Sequence, residues 1–243
     1  MEYRLEICAF NLTSALIAQQ SGADRIELCA SPEEGGTTPS AGLIRTAREN
    51  LRIPLYPIIR PRGGDFLYTE EEFRVMLRDI DYCKQVGCNG VVIGMLLADG
   101  CVDKPRCSRL VEAAYPMGVT FHRAFDWAAN PFEALEDIIT MGCERILTSG
   151  QRPTAIEGAA LIDQLVREAD DRIVIMPGSG VRISNIVQLA ELTGASEFHT
   201  SARVKQVSAM EYVSVGMKEE QSFTAAGEEE IKKIKEDLTA LCG

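Results

Sequence analysis

The sequence has no excess of positive charge. Of its 243 residues, 25 are lysine or arginine and 36 are aspartate or glutamate, which gives a formal net charge of −11 at pH 7. Non-specific binding to DNA, RNA or anionic membranes depends on basic surfaces. The composition therefore argues against a nucleic acid or a membrane as a partner. A local cluster of arginines can still bind a small anionic ligand.

Long apolar runs are also missing. The longest uncharged stretch, residues 7–23, is interrupted by polar side chains, so we expect no transmembrane span. The first residues lack the basic-then-apolar layout of a secretory signal, and we expect a cytoplasmic protein. The eight cysteines contain no C-x-x-C pair, which argues against a zinc ribbon or a thioredoxin-type site. Most of them should be reduced thiols.

What the chain does contain is a regular alternation of short apolar runs and helical patterns. The runs typical of strands lie at residues 5–8, 24–29, 55–60, 90–94, 118–122, 145–148, 172–176 and 196–200. Each is followed by apolar residues at spacings of three and four, such as Phe73, Met76 and Ile80. Eight strand–helix repeats in roughly 250 residues match a closed barrel. We therefore predict an α/β fold, a single (β/α)8 TIM barrel, with one domain over residues 1–243.

The predicted helix ends agree with this fold. Gly87, Gly142 and Gly194 follow helical patterns, at positions where a left-handed C-cap is expected. Asn130 before Pro131 is typical of a helix start. The alternative, an open doubly wound sheet, usually has a glycine fingerprint after its first strand, which residues 8–11 lack. Residues 203–227 have weak periodicity and are predicted to form a long loop before a final helix over 228–241.

Charged residues share one face of several predicted strands, while apolar residues such as Ile7 and Phe198 occupy the other face. An ordinary barrel centre is filled by branched apolar side chains. Burying unpaired charges is costly, so these groups must pair with one another, with a ligand or with solvent. We predict a ligand pocket at the C-terminal barrel mouth, with a purely structural ion-pair network as the alternative. The candidate residues, with Glu197 beside them, are Glu6, Arg25, Glu27, Arg60, Arg62, His122, Arg123, Asp126 and His199.

A glycine-rich segment follows the seventh predicted strand. Gly178, Ser179 and Gly180 lead into a helix, where backbone N–H groups form a ready anion site. Barrels often bind phosphate after strands seven and eight. We predict a phosphate site here, with Ser149 and Gly150 after the sixth strand contributing to it. The alternative is an ordinary glycine-rich turn.

Cys8 and Cys29 lie at matching positions on adjacent predicted strands, on the polar face. Two neighbouring thiolates suit Cu(I), a soft ion that favours sulfur ligands. The alternative is a pair of buried cysteines that act as small apolar residues. The glutamates and histidines of the same face also suit manganese, zinc or iron.

Several motifs in register resemble the CutC family, whose members are named copper homeostasis proteins. They are residues 5–8 (LEIC), 22–29 (GADRIELC), 35–40 (GGTTPS), 59–66 (IRPRGGDF), 120–126 (TFHRAFD), 145–150 (RILTSG) and the loop that begins at Gly178. The resemblance implies a single cytoplasmic barrel, a homodimer or higher homo-oligomer, and copper handling. It also implies Cu(I) binding at the two cysteines that match Cys8 and Cys29.

Two functional hypotheses follow. The first is a cytoplasmic Cu(I)-binding protein of this family. The second is a barrel enzyme of the isomerase or lyase type, because copper binding leaves Arg60, Arg62, His122 and Arg123 unexplained. In such an enzyme Glu27 or Glu6 would act as acid or base with His122, and the arginines would hold an anionic, phosphorylated or carboxylated metabolite. A third hypothesis is a barrel that serves only as the scaffold of an oligomer.

Overall fold

Strands and helices alternate along the chain in the computed structural model, which describes residues 2–212, 214, 216–217 and 221–242. The first eight strands are β1 (Arg4–Ala9), β2 (Arg25–Leu28), β3 (Leu55–Pro57), β4 (Gly90–Ile93), β5 (Gly118–Phe121), β6 (Arg145–Thr148), β7 (Val174–Pro177) and β8 (Glu197–Thr200). The helices are α1 (Leu12–Gln20), α2 (Ala41–Asn50), α3 (Glu70–Val86), α4 (Lys104–Ala114), α5 (Pro131–Met141), α6 (Ala159–Ala169), α7 (Ile186–Thr193) and α8 (Glu228–Ala240).

The eight parallel strands form the predicted (β/α)8 barrel. Their ladders make two halves, which we call the first half-barrel (β3-β2-β1-β8) and the second half-barrel (β4-β5-β6-β7). A bridge between Ile58 and Val92 joins the halves at one seam. At the other seam β7 lies beside β8. The barrel therefore brings the ends of strands that are distant in sequence to one mouth.

Alternation along the strands separates the apolar core from the charged interior. Ile7 and Leu28 are fully buried in the apolar core between the strands and the surrounding helices. Neighbouring positions on the same strands, such as Glu6 and Glu27, are also buried. Since successive side chains of a strand point to opposite faces, the charged residues point into the barrel.

The helix ends confirm the local predictions. Gly87, Gly142 and Gly194 cap α3, α5 and α7 with φ values of 84°, 88° and 65°, a left-handed region that favours glycine. The Asn130 side chain accepts hydrogen bonds from the first amides of α5.

No helix of the described residues is both long enough and apolar enough to cross a membrane.

Two predicted boundaries need correction. β3 ends at Pro57 and not at residue 60. Ile58 and Ile59 still donate to the carbonyls of Leu28 and Val92 as the chain passes from one half-barrel to the other, and the amide of Arg60 donates to the Thr38 hydroxyl instead of a strand. The predicted loop 203–227 contains an antiparallel pair of strands, β9 (Arg203–Val207) and β10 (Ser222–Ala226). Every residue of β9 is exposed, so no buried face imposed a clear alternation on its sequence. Residues 213, 215 and 218–220 of that loop lie outside the described residues.

Candidate functional site

A cavity of about 440 Å³ opens at the C-terminal ends of the barrel strands. Its wall includes side chains that follow or end β1, β2, β3, β5 and β8. Those that the sequence predicted are Cys8, Glu27, Arg60, His122, Arg123 and His199. Active sites of TIM barrels occur at this end. The fold therefore brings these six residues, together with Ser179 and Gly180 from the loop after β7, to one cavity.

A network of buried charges lies beneath the cavity. Strand register places Glu6 between Arg25 on β2 and His199 on β8. Arg25 donates to Glu6, and its second branch donates to Glu197 at 2.7 Å. Arg145 donates to the same Glu197 oxygen at 2.7 Å. Glu6 and Arg25 thus lie within the barrel, and the cavity is lined by other residues.

The network determines the ionisation of its carboxylates. Burial raises the pKa of Glu6, but Arg25 and His199 outweigh it and hold that pKa well below its usual range. Burial also raises the pKa of Glu197, and Arg145 and Arg25 lower it to below its ordinary value. Arg145 is not among the residues that the sequence pattern predicted. One feature of the sequence could have identified it: Arg145 is a charged first residue in an otherwise apolar strand. Alternation along that strand directs its side chain into the barrel.

Cys8, Glu27 and His199 line the cavity, and Cys29 contacts Cys8 without lining it. The sulfur atoms of Cys8 and Cys29 are 3.5 Å apart. Ligand atoms of Cys8, Glu27 and His199 all lie within 4.8 Å of one another, and His199 Nε2 is 3.6 Å from a Glu27 oxygen. We call Cys8, Cys29, Glu27 and His199 the thiol cluster. All four are buried.

The cluster stabilises a thiolate. The hydrogen bond with Cys29 is the main effect that lowers the pKa of Cys8 to about 6, and His199 adds to it. Burial lowers the pKa of His199, but hydrogen bonds to Cys8 and Glu6 raise it well above the ordinary value. Burial and the nearby Cys8 raise the pKa of Glu27. Near neutral pH the cluster therefore favours a Cys8 thiolate beside a charged His199 imidazolium, and the same surroundings shift Glu27 toward its neutral form.

Arg60 and His122 form another part of the wall. The guanidinium of Arg60 donates to the backbone carbonyls of Glu34, Gly36 and Gly64. His122 Nδ1 accepts a hydrogen bond from the backbone amide of Ala124 at 3.1 Å. Burial and the charge of Arg60 lower the pKa of His122 to about 3. His122 is therefore neutral at physiological pH.

The position of Arg62 corrects one expectation. Its guanidinium donates to Asp65 at 2.9 Å and to Glu72 at 2.6 Å, and also to the carbonyl of Leu67. Its side chain is 39% exposed and lies outside the cavity wall. Arg62 stabilises the loop after β3, and its guanidinium is not part of the cavity wall that contains Arg60.

Asp126, Ser149 and Gly150 also depart from the prediction. The carboxylate of Asp126 accepts hydrogen bonds from the amides of Ser149 and Gln151 and from the Thr148 hydroxyl. The Gly150 amide donates to that same hydroxyl. These donors already have a partner within the chain, so they are not available to a phosphate. Asp126 thus acts as an internal anion that fixes the loop after β6.

Arg123 and the loop after β7 match the prediction in part. Arg123 lines the cavity, but it also donates to Asp126 at 2.8 Å. Ser179 and Gly180 line the cavity as predicted. Gly178 does not line it; its amide donates to the Thr148 carbonyl, and a side chain at this position would clash with Leu147. Phosphate binding by this loop stays a prediction for Ser179 and Gly180.

Fold and site together define a class of protein: a (β/α)8 barrel with a charged interior and a thiol, carboxyl and imidazole cluster at the C-terminal mouth. Residues 3–204 match the model of the CutC family. The chain belongs to the CutC family.

Known relatives agree with this assignment. A CutC family protein of Parabacteroides distasonis is 50% identical over 241 residues, which cover 99% of both chains. A crystal structure of CutC from Streptococcus agalactiae, described as a copper homeostasis protein, has a TM-score of 0.79 and 32% identity, over 82% of this chain and 98% of that one. Phosphoribosylanthranilate isomerase of Thermotoga maritima, with a TM-score of 0.62 and 15% identity over 98% of this chain and 99% of that one, shares the fold alone.

Proposed function

We propose that the protein binds one Cu(I) ion between Cys8 and Cys29. The observation that carries this proposal is the 3.5 Å separation between the sulfur atoms of Cys8, which lines the cavity, and Cys29, which is buried beside it. Sulfur ligands suit Cu(I) better than harder divalent ions. The copper homeostasis name of the Streptococcus agalactiae relative supports the same ion.

The charges of the surrounding residues suit this ion. Cys8, with a pKa of about 6, is already a thiolate at neutral pH, so binding requires the loss of one proton, from Cys29. Two thiolates and one Cu(I) carry a net charge of −1. The imidazolium of His199, fixed by a 2.7 Å contact between its Nδ1 and Glu6, offsets that charge. The proposal places binding in the cytoplasm, where thiols stay reduced.

Titration of the reduced protein with Cu(I) in competition with a chromogenic Cu(I) chelator tests the proposal. We expect one ion per chain, and a loss of affinity of more than roughly 100-fold in both Cys8→Ser and Cys29→Ser, since each removes a ligand. Cys101→Ser is the matched control because Cys101 is an exposed thiol, and its affinity should equal that of the wild type. Unchanged binding in Cys8→Ser and Cys29→Ser would refute the proposal. Tighter binding of Zn²⁺ than of Cu(I) would do so too.

A second candidate function is an isomerase- or lyase-type reaction on a small anionic metabolite. One observation favours it: the cavity of about 440 Å³ has space for an organic molecule and is lined by Arg60 and Arg123. Glu27 lines the cavity and has a raised pKa, which suits a general acid, whereas Glu6 is held in ion pairs beneath it.

Metabolite profiling tests this second candidate. A strain that lacks the gene should accumulate a small anion, and the wild-type gene should restore its level while Glu27→Gln does not. An unchanged metabolite profile in the deletion strain would count against catalysis.

A further inference from the structure

Two buried side chains of the cavity wall have nitrogen atoms without a hydrogen-bond partner. Arg60 is 5% exposed and His122 is 3% exposed, and both line the cavity. Within the described part of the chain, Arg60 Nε and His122 Nε2 have no partner. Buried polar groups are almost always hydrogen-bonded. These two atoms therefore need a partner from outside the chain.

The backbone decides what kind of partner His122 needs. Because the amide of Ala124 donates to Nδ1, the neutral ring carries its hydrogen on Nε2. Burial and Arg60 keep the ring neutral, with a pKa of about 3. His122 thus offers a hydrogen-bond donor at the cavity wall, and its partner must be an acceptor.

Arg60 also has no direct ion pair among the described residues. Arg62, two residues further on, pairs with Asp65 and Glu72. Arg60 donates only to neutral carbonyl groups and forms no ion pair with any carboxylate of the described residues. A buried charge without a counter-ion is unfavourable. An anion is therefore the partner that best satisfies this guanidinium.

We infer that Arg60 and His122 form a subsite for one oxyanion group of a small organic ligand, a carboxylate or a phosphate. Phe66 holds the two side chains together, with its ring centroid 4.9 Å from the guanidinium carbon of Arg60 and 5.1 Å from the ring centroid of His122. The hydroxyl of Tyr68, which lies within the influence of the Arg60 charge, is a further buried polar atom without a hydrogen-bond partner among the described residues. An oxyanion accepts from both nitrogen atoms and balances the charge of Arg60.

The inference goes beyond copper binding and deepens the second candidate function, because it names the group by which a metabolite would be held. It uses none of the residues of the thiol cluster. An experiment can therefore refute the proposed anion subsite without refuting the proposed copper site, and the reverse.

Nuclear magnetic resonance of the imidazole nitrogens tests the subsite directly. The chain has only two histidines, so the Nε2 signal of His122 is readily assigned with the help of a His199→Gln variant. Copper-free, reduced wild-type protein is titrated with inorganic phosphate and, separately, with malonate, against sodium chloride at matched ionic strength. We expect a saturable shift of the His122 signal with phosphate or with malonate, and the anion that saturates at lower concentration identifies the class. No saturable shift with either anion, or the same shift with chloride, would overturn the inference.

Calorimetric titration of variants with the same anion gives a second readout. Arg60→Gln should weaken binding about tenfold or more. Arg62→Gln is the matched control, since the Arg62 guanidinium lies outside the cavity, and it should bind as the wild type does. His122→Gln replaces Arg60→Gln if the latter does not fold. Equal losses in Arg60→Gln and Arg62→Gln would indicate a non-specific charge effect and contradict the subsite. Cys8→Ser should bind the anion normally.

Discussion

Replacing Glu197 by alanine is expected to destabilise the fold by about 3–5 kcal/mol, because removal of one partner of a buried ion pair leaves an uncompensated charge. The Glu197 side chain is 8% exposed and serves as counter-ion to both Arg25 and Arg145, at 2.7 Å from each. After the substitution, Arg145 retains the neutral Thr120 hydroxyl and, as its remaining carboxylate partner among the described residues, Glu144, whose side chain is 42% exposed. Urea denaturation followed by circular dichroism measures the loss in the free energy of unfolding.

Glu136→Ala is the control for this experiment. Glu136 pairs with Arg172 on the surface, where both side chains are more than 40% exposed, and an exposed pair contributes about 0.2–1 kcal/mol. Adding Arg145→Met to Glu197→Ala should recover part of the loss, since it removes the unpaired charge. If Glu197→Ala costs no more than Glu136→Ala, the buried network does not stabilise the barrel in the way described.

Cys8 is expected to react with iodoacetamide in its thiolate form at neutral pH. Its pKa of about 6 lies well below the ordinary thiol value of 9.0, so the rate should rise with pH through a midpoint near 6 and then level off. The thiolate fraction at pH 7 should be roughly 90%, against about 1% for an ordinary thiol. Mass spectrometry of the alkylated peptides gives the rate for each cysteine separately.

Two variants identify the cause of this reactivity. Cys29→Ala removes the main hydrogen bond to Cys8, and His199→Gln removes the neighbouring positive charge. Each should therefore shift the midpoint of the Cys8 profile upward. Cys101 is the internal control, because Asp99 raises its pKa and its rate should still be rising above pH 9. A Cys8 midpoint near 9 in the wild type would contradict the thiolate assignment.

The barrel and the inward direction of its charges could be predicted from the sequence because both depend on local periodicity. Alternation along a strand fixes which side chains share a face whatever the neighbouring strand does. Glu6, Glu27 and His199 could thus be assigned to the interior from single strands. The contacts between them could not, because the register that sets Cys8 against Glu27 depends on pairing across a distance in sequence.

Hydrogen bonds within loops also could not be predicted from the sequence. Aspartate and arginine commonly bind ligands, so Asp126 and Arg62 were reasonable candidates. Only the three-dimensional structure shows that their hydrogen-bond partners come from the chain itself. Conversely, Arg60 lacks a carboxylate partner among the described residues, although its sequence neighbourhood resembles that of Arg62. Whether a charged residue is already satisfied depends on the folded loop, and residue type alone does not reveal it.

The division of the barrel into two halves has a consequence for how the protein folds. Glu197 belongs to the first half-barrel and Arg145 to the second, and they form a direct ion pair across the interior. Arg25 of the first half-barrel likewise reaches Met176 of the second. Apart from the first half-barrel, the second would leave Arg145 with the partly exposed Glu144 as its carboxylate partner among the described residues, and the first would lose one of the two arginines that Glu197 binds, so docking of the two halves stabilises the charges of both. Unfolding should accordingly be one cooperative event for all eight strands, without a stable four-stranded intermediate.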